Sequence, residues 1–128
     1  MKALLDTHAL LWAVLNPELL SRHAADLIAE EANIVIVSAA SAWEIATKVR
    51  IGKLPHAAGM EKEFLDVIDD AGYTLLPIEV SDALRAGCLA SNHGDPFDRM
   101  IAAQAIARDI PVLSNDTRLD VFGVSRIW

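Results

Sequence analysis

Short apolar runs alternate with amphipathic segments along this chain, and the alternation restricts its fold more than any other feature. The runs predict strands at Lys2–Leu5, Asn33–Val37, Tyr73–Ile78, Val112–Leu113 and Val124–Trp128. Pro77 interrupts the third run and indicates a strand that lies at an edge or ends early. Because helical segments separate the runs, consecutive strands require crossover connections and pair in parallel. The sequence therefore predicts an α/β protein, a three-layer α/β/α sandwich around a mainly parallel sheet.

Helix start and stop signals divide the segments between the strands. They predict helices at His8–Leu15 behind a Thr7 cap, from the Ser21 cap to Glu31, at Ala42–Val49, at Glu61–Asp70, after a Ser81 cap, and at Pro96–Arg108. Asp95 followed by Pro96 is typical of an N-cap and a first helical position. Ser41 and Glu44 have the spacing of a capping box, which predicts Glu44 in the first turn of its helix.

Length and composition exclude several classes of protein. With 128 residues and 53% hydrophobic content, the chain is expected to form one domain spanning residues 1–128. No stretch is long enough to cross a membrane, and Cys88, expected in the core, has no disulfide partner, so we expect a cytoplasmic protein. The net charge of −7 argues against a generally basic nucleic-acid-binding surface but permits a nuclease whose acids hold cations. The densest basic group, Lys48, Arg50 and Lys53, is either a solvated face or a rim for phosphates.

Four acidic residues occupy comparable places in this predicted fold. Asp6 and Asp116 follow strands, whereas Glu44 and Asp98 are expected in the first turns of helices. Because open α/β sheets bind ligands at the carboxyl ends of their strands, we expect the four acids to converge at that edge. Gathered carboxylates repel one another, so they require a cation, and at least one should resist ionisation. Oxygen ligands without cysteine or a histidine pair favour Mg²⁺ or Mn²⁺ over zinc.

Each acid also has an ordinary structural interpretation. Asp95 and Asp98 can serve as helix caps, Glu44 as the partner in a capping box, and Asp6 as a turn residue. An acidic cluster at strand ends also serves other metal-dependent phosphoryl-transfer enzymes. Such enzymes usually carry a second acid two residues after a nucleophilic aspartate, and here that position is His8.

Four stretches carry a more specific pattern: Leu4–His8 (LLDTH), Ser41–Ile45 (SAWEI), Asp95–Ala105 (DPFDRMIAAQA) and Val112–Asp116 (VLSND). Together, in this order and spacing, they resemble the PIN-domain ribonucleases, and specifically the VapC-type toxins of bacterial toxin–antitoxin pairs. The resemblance implies that Asp6, Glu44, Asp98 and Asp116 are the metal-binding and catalytic acids, with Asp6 and Asp98 the most direct ligands. It implies that Ser114 supports these acids, while Asp95 is interpreted as a cap.

The resemblance also implies an activity and partners. The expected reaction is Mg²⁺-dependent endonucleolytic cleavage of RNA, with Mn²⁺ as a substitute and a 5′-phosphate on the product. The expected partners are a second copy of the chain, forming a homodimer, and a VapB-like antitoxin whose C-terminal segment blocks the site, often with a basic side chain. A PIN-like binding module without activity is the non-enzymatic alternative. Loss of activity would normally remove one of the acids, and all four are present.

Overall fold

A computed structural model describes all 128 residues, and its centre is one parallel sheet of five strands. The strands are β1 (Lys2–Leu5), β2 (Ile34–Ser38), β3 (Thr74–Leu76), β4 (Val112–Leu113) and β5 (Arg126–Ile127), in the spatial order β3-β2-β1-β4-β5. Every neighbouring pair is parallel. The predicted sheet is confirmed, and β3 both lies at an edge and ends before Pro77.

Six α-helices cover the two faces of the sheet. They are α1 (Thr7–Leu15), α2 (Arg22–Ala29), α3 (Ala39–Arg50), α4 (Met60–Ala71), α5 (Val80–Cys88) and α6 (Pro96–Arg108), with 3-10 turns at Pro17–Leu19, Pro55–Ala57 and Thr117–Phe122. None of these helices is long and apolar enough to cross a membrane. Helix α6 begins and ends where the sequence predicts, because Asp95 and Pro96 define its start.

Successive residues of the central strand pack into two separate cores. Ala3 and Leu5 belong to a cluster of 16 buried residues that includes Ile45 of α3. Leu4 points to the other side, into a cluster of seven buried residues that includes Ile101 of α6. Because side chains alternate along a strand, this division places helices on both faces of the sheet. The three-layer α/β/α arrangement is therefore confirmed.

Three predicted helix starts are wrong, and each error concerns the cap residue; the first two are at α1 and α3. Thr7 lies inside α1, because the Asp6 side chain is the N-cap and accepts a hydrogen bond from the Ala9 amide. Helix α3 starts after Ser38, three residues before the predicted Ser41 cap. Ser41 is buried within α3, and its hydroxyl lies 3.0 Å from the Thr7 hydroxyl. Glu44 therefore lies in the second turn, and the proposed capping box does not exist.

The start of α5 and the position of Cys88 also differ from expectation. Glu79 caps the helix in place of Ser81, and the Asp82 side chain accepts a hydrogen bond from the Glu79 amide, forming a capping box. Helix α5 buries only Asp82 and Ala86. Cys88 falls on the opposite side of the helix and is exposed, so its predicted core position is wrong.

A buried glutamine connects α6 to the sheet and to α5. The Gln104 side chain is fully buried; it accepts from the Ser38 hydroxyl at 2.5 Å and donates to the Pro77 carbonyl at 3.1 Å. It also donates to Asp82 at 3.3 Å, and Arg108 forms an ion pair with the same carboxylate. Because Ser38 caps α3, this network fixes the start of that helix relative to α6.

Candidate active site

Asp6 is a buried carboxylate immediately after the central strand. It is only 6% exposed, and it accepts hydrogen bonds from the Ala9 amide at 2.7 Å and from the Ser114 hydroxyl. Ser114 in turn accepts from the Asp116 amide at 2.9 Å, so one hydroxyl connects the ends of β1 and β4. Burial raises the pKa of Asp6 to about 6, although both hydrogen bonds oppose the shift. Asp6 therefore resists ionisation, but burial is the main cause, and the repulsion between carboxylates that the sequence predicts contributes little.

Asp98 lies in the first turn of α6. Asp95 is the N-cap as predicted, accepting from the amides of Phe97 and Asp98 at 2.9 and 3.0 Å. The Asp98 carboxylate lies 2.9 Å from Nε2 of His93, a histidine for which the sequence showed no partner. Burial is the main reason that the pKa of Asp98 is raised, and the charges of Asp95 and Glu44 add to the shift against the His93 hydrogen bond.

Glu44 is held by a lysine one turn further along α3. The Glu44 side chain is buried, and its carboxylate forms a hydrogen-bonded ion pair with Nζ of Lys48. Burial lowers the pKa of Lys48, but the hydrogen bond and charge of Glu44 outweigh it, so the pKa is raised overall. The ammonium also lies 6.0 Å from the centre of the Phe97 ring. Trp43 packs its edge against the same ring at 4.7 Å between centroids, although 57% of the tryptophan remains exposed.

Asp116 behaves in the opposite way to Asp6. It caps the 3-10 turn that begins at Thr117, and its carboxylate forms an ion pair with Arg118 at 2.7 Å. The hydrogen bond from the Arg118 side chain is the main reason that the pKa of Asp116 is lowered. Asp116 is therefore not an acid that resists ionisation, because a neighbouring guanidinium neutralises it.

The carboxyl edge of the sheet gathers these acids into one electrostatic environment. The charge of Asp98 raises the pKa of Asp6, and the charge of Glu44 raises that of Asp98, after the larger effect of burial in each case. The side chains nevertheless do not converge on one point, since no three His, Cys, Asp or Glu side chains lie close enough together to form a metal-ligand cluster.

The donor set suits a hard divalent cation. All four acids offer oxygen, the ligand atom that Mg²⁺ and Mn²⁺ prefer. Glu44, Asp98 and Asp116 each have a basic partner in the chain, whereas Asp6 has no ion pair. A buried acid without a cation of its own fits a site in which the cation comes from solution.

The three basic partners, Lys48, His93 and Arg118, were not assigned to the site from the sequence. Lys48 follows Glu44 by four residues on a helix, a spacing that brings the two side chains together. The spacing therefore indicates the Glu44–Lys48 contact, although the neighbouring Arg50 and Lys53 equally favour a solvated face or a rim for phosphates. His93 approaches Asp98 because the α5–α6 loop folds back over the start of α6, and no local pattern indicates such a contact.

A loop held by an arginine brings His93 to Asp98. The Arg99 guanidinium donates to backbone carbonyls of the segment between α5 and α6, among them Leu89 at 2.6 Å and His93 at 2.9 Å. It donates further to the carbonyls of Ala86, Gly87 and Ser91. The segment that precedes the Asp95 cap is therefore fixed by the residue next to Asp98.

Comparisons with known proteins agree with this architecture. Similar solved structures include VapBC2 from Rickettsia felis bound to a DNA fragment from their promoter, with a TM-score of 0.66, 16% identity, and coverage of 99% of this chain and 98% of that chain. FitAcB from Neisseria gonorrhoeae has a TM-score of 0.62 and 20% identity, with coverage of 98% of this chain and 96% of that chain. VapBC-1 from nontypeable Haemophilus influenzae has a TM-score of 0.63 and 14% identity, with coverage of 99% of this chain and 97% of that chain. The TM-scores over nearly the full length of the chains show a common fold, and at these low identities they show the fold alone.

Comparison at the level of sequence identifies the family directly. No curated protein shows significant similarity to the chain. The sequence model of the PIN domain, however, matches residues 3–124, a span that contains all four predicted acids. The chain therefore belongs to the PIN-domain family.

Proposed function

We propose that this protein is a metal-dependent endoribonuclease and the toxin of a type II toxin–antitoxin system. The observation that carries the proposal is the buried Asp6, which has no ion pair and lies in the same electrostatic environment as Asp98 and Glu44. Family membership and the likeness of the four sequence motifs to VapC-type toxins support the assignment. Asp6 and Asp98 are the most direct metal ligands in this proposal, and Glu44 and Asp116 complete the catalytic set.

The bound ion, Mg²⁺ with Mn²⁺ as a substitute, would neutralise charge at the phosphodiester and activate a water molecule, yielding a 5′-phosphate. The chain's own residues prepare the site. Ser114 orients Asp6 by donating to its carboxylate, while Asp95 fixes the first turn of α6, which carries Asp98. His93 holds one oxygen of Asp98. Ion binding would favour the ionised form of Asp6, whose pKa burial raises to about 6.

The proposed partners follow from the same resemblance. The substrate is RNA, and the inhibitor is a VapB-like antitoxin whose basic C-terminal segment covers the acids. The net charge of −7 is complementary to such a segment. Solved VapBC structures from Rickettsia felis and Haemophilus influenzae share the fold. We also propose that the chain is one domain over residues 1–128, that it forms a homodimer, and that it acts in the cytoplasm.

Other phosphoryl-transfer hydrolases and a silent binding module are the competing functions. His8, at the position where a phosphatase would carry its second acid, is exposed and packs against Trp12 at 6.0 Å between ring centroids. It contributes no acid to the site. If the protein is a silent binding module, replacing the four acids by neutral residues should change no catalytic activity.

Replacing the two most direct ligands tests the proposed function. Asp6→Asn and Asp98→Asn should each abolish Mg²⁺-dependent cleavage of single-stranded or loop RNA while the variants remain folded. Asp26→Asn is the matched control, because Asp26 is an exposed residue of α2 with a 3.9 Å contact to Arg22. Full cleavage by either site variant, in preparations free of other nucleases, would refute the assignment of the acids.

The toxin role is tested with the same variants in cells. Expression of the wild-type chain should arrest bacterial growth, and expression of Asp6→Asn should not. Co-expression of the antitoxin encoded beside the chain should restore growth. Normal growth at a confirmed level of soluble wild-type protein would refute the toxin role while leaving the nuclease assignment to the cleavage assay.

A further inference from the structure

Arg118 holds both carboxylate oxygens of Asp116. Its Nε atom lies 3.0 and 3.1 Å from Oδ1 and Oδ2, and its Nη2 atom lies 2.7 Å from Oδ2. The Arg118 backbone amide donates to Oδ1 as well, at 3.0 Å. Three N–H groups of one residue therefore make four contacts of hydrogen-bond length with a single carboxylate, the Nε–H being shared between its two oxygens, and they occupy most of its acceptor capacity.

The Arg118 side chain is otherwise free. It is 72% exposed, and its only hydrogen-bond partner is Asp116. Arg126, by contrast, is 21% exposed and is held both by Asp120 and by the Ser114 carbonyl. Rotating Arg118 away from Asp116 therefore breaks contacts with one residue only, and the guanidinium then enters solvent without exposing any apolar core.

This inference rests on the proposed function, in which Asp116 is a metal ligand. The Arg118 guanidinium and a divalent ion then compete for the Asp116 carboxylate. A metal ion requires a lone pair on a carboxylate oxygen, and the two Arg118 side-chain nitrogens already donate to both oxygens of Asp116. Metal binding must therefore displace at least one of these hydrogen bonds. The backbone amide contact can persist, because it uses Oδ1 from the side of the turn.

The displaced guanidinium would remain at the acid cluster. The Arg118 pKa is raised mainly by the hydrogen bonds to Asp116 and further by the charges of Asp98 and Asp95, which places all three acids within its electrostatic range. Lys48 and His93, the other basic residues here, are mostly buried against Glu44 and Asp98. Arg118 is thus the basic partner with the greatest access to a ligand arriving from solvent.

We infer that Arg118 is a phosphate-contacting residue for single-stranded RNA that is held on Asp116 until a divalent ion takes its place. A guanidinium binds two phosphate oxygens with the same planar geometry with which it binds a carboxylate. The exchange couples the two ligands: the metal releases the residue that binds the substrate backbone. It also supplies a solvent-accessible basic contact for RNA at this edge, where the side chains of Lys48 and His93 are mostly buried.

The test compares Arg118→Ala and Arg118→Lys with Arg22→Ala, a control in an exposed ion pair on α2. Calorimetric titration with Mn²⁺ alone measures the competition. Arg118→Ala should bind Mn²⁺ several-fold more tightly than wild type, because the competing cation is gone. Binding of a 2′-O-methylated oligonucleotide, which probes backbone contacts, should weaken about tenfold in Mn²⁺ and remain unchanged in EDTA. Arg118→Lys should retain part of the Mn²⁺-dependent oligonucleotide affinity.

The outcomes separate this inference from the proposed function. Equal or weaker Mn²⁺ affinity in Arg118→Ala would overturn the competition, and an equal loss of oligonucleotide affinity with and without Mn²⁺ would overturn the metal-released contact. If wild type binds Mn²⁺ and cleaves RNA while Arg118→Ala matches Arg22→Ala in every measurement, only the role of Arg118 fails. If wild type neither binds Mn²⁺ nor cleaves RNA, the proposed function fails with it.

Discussion

Asp6 should make the folded protein less stable as the pH rises, and Asp6→Asn should remove that effect. Burial raises the Asp6 pKa from 3.8 to about 6, so above pH 6 the folded chain contains an ionised carboxylate that is only 6% exposed. For an acid with a raised folded-state pKa, the destabilisation is absent below the unfolded pKa. It grows as the pH rises through the interval between the two values and is complete above the folded one.

The size of the effect follows from that interval. A shift of about 2 pKa units corresponds to roughly 3 kcal/mol of the free energy of unfolding. Asparagine carries no charge, and its side-chain oxygen can still accept from the Ala9 amide. Its NH₂ group, however, replaces the carboxylate oxygen that accepts from the Ser114 hydroxyl, and the changed hydrogen bond costs about 1 kcal/mol. In EDTA, Asp6→Asn should therefore be about 2 kcal/mol more stable than wild type at pH 8. For a chain of this length the midpoint of thermal unfolding rises by about 6 °C.

Urea unfolding at a series of pH values, followed by far-UV circular dichroism in EDTA, measures this difference. The gain in the free energy of unfolding from Asp6→Asn should shrink from pH 6 toward pH 4. At lower pH, where Asp6 is protonated in both the folded and the unfolded state, the variant should be about 1 kcal/mol less stable than wild type. Asp116→Asn is the matched control, because the pKa of Asp116 is shifted in the opposite direction, being lowered by Arg118. Replacing Asp116 should therefore not stabilise the fold at neutral pH. A wild-type chain as stable as Asp6→Asn at pH 8, with no pH dependence in their difference, would refute the burial argument.

Two other substitutions test contacts of the same edge. Lys48→Met should lower the free energy of unfolding by about 2 kcal/mol, because it leaves the buried Glu44 without its cation. In a double-mutant cycle, adding Glu44→Gln should recover most of that loss. Additive losses would show that the two side chains do not interact. Gln104→Leu should cost about 3 kcal/mol in urea unfolding, because Ser38 and the Pro77 carbonyl lose a buried partner. Replacement of the more exposed Ile106 by Gln is its control on α6, and an equal cost at both positions would contradict the network.

The fold could be predicted from the sequence because its signals are local. Each buried strand is a short apolar run, and Asp95 with Pro96 defines the start of α6 through backbone geometry that neighbouring residues determine. The helix starts that failed, at Thr7, Ser41 and Ser81, have side chains capable of capping. They failed because burial of Ser41 against Thr7, and the reciprocal contact of Glu79 with Asp82, stabilise other boundaries.

The placement of the four acids at one edge also followed from the order of strands and helices, since parallel strands end on the same side of a sheet. Their ionisation did not follow. The sequence alone determined that this chain is a parallel α/β protein. It also determined that its PIN-like motifs contain the acids Asp6, Glu44, Asp98 and Asp116. Arg118 neutralises Asp116 through a local contact between residues two positions apart, which follows from the side-chain conformations that the structure shows. Only the tertiary structure decided that Asp6 is buried without a cation, because the depth of this carboxylate and its contact with Ser114 depend on packing between residues distant in the chain.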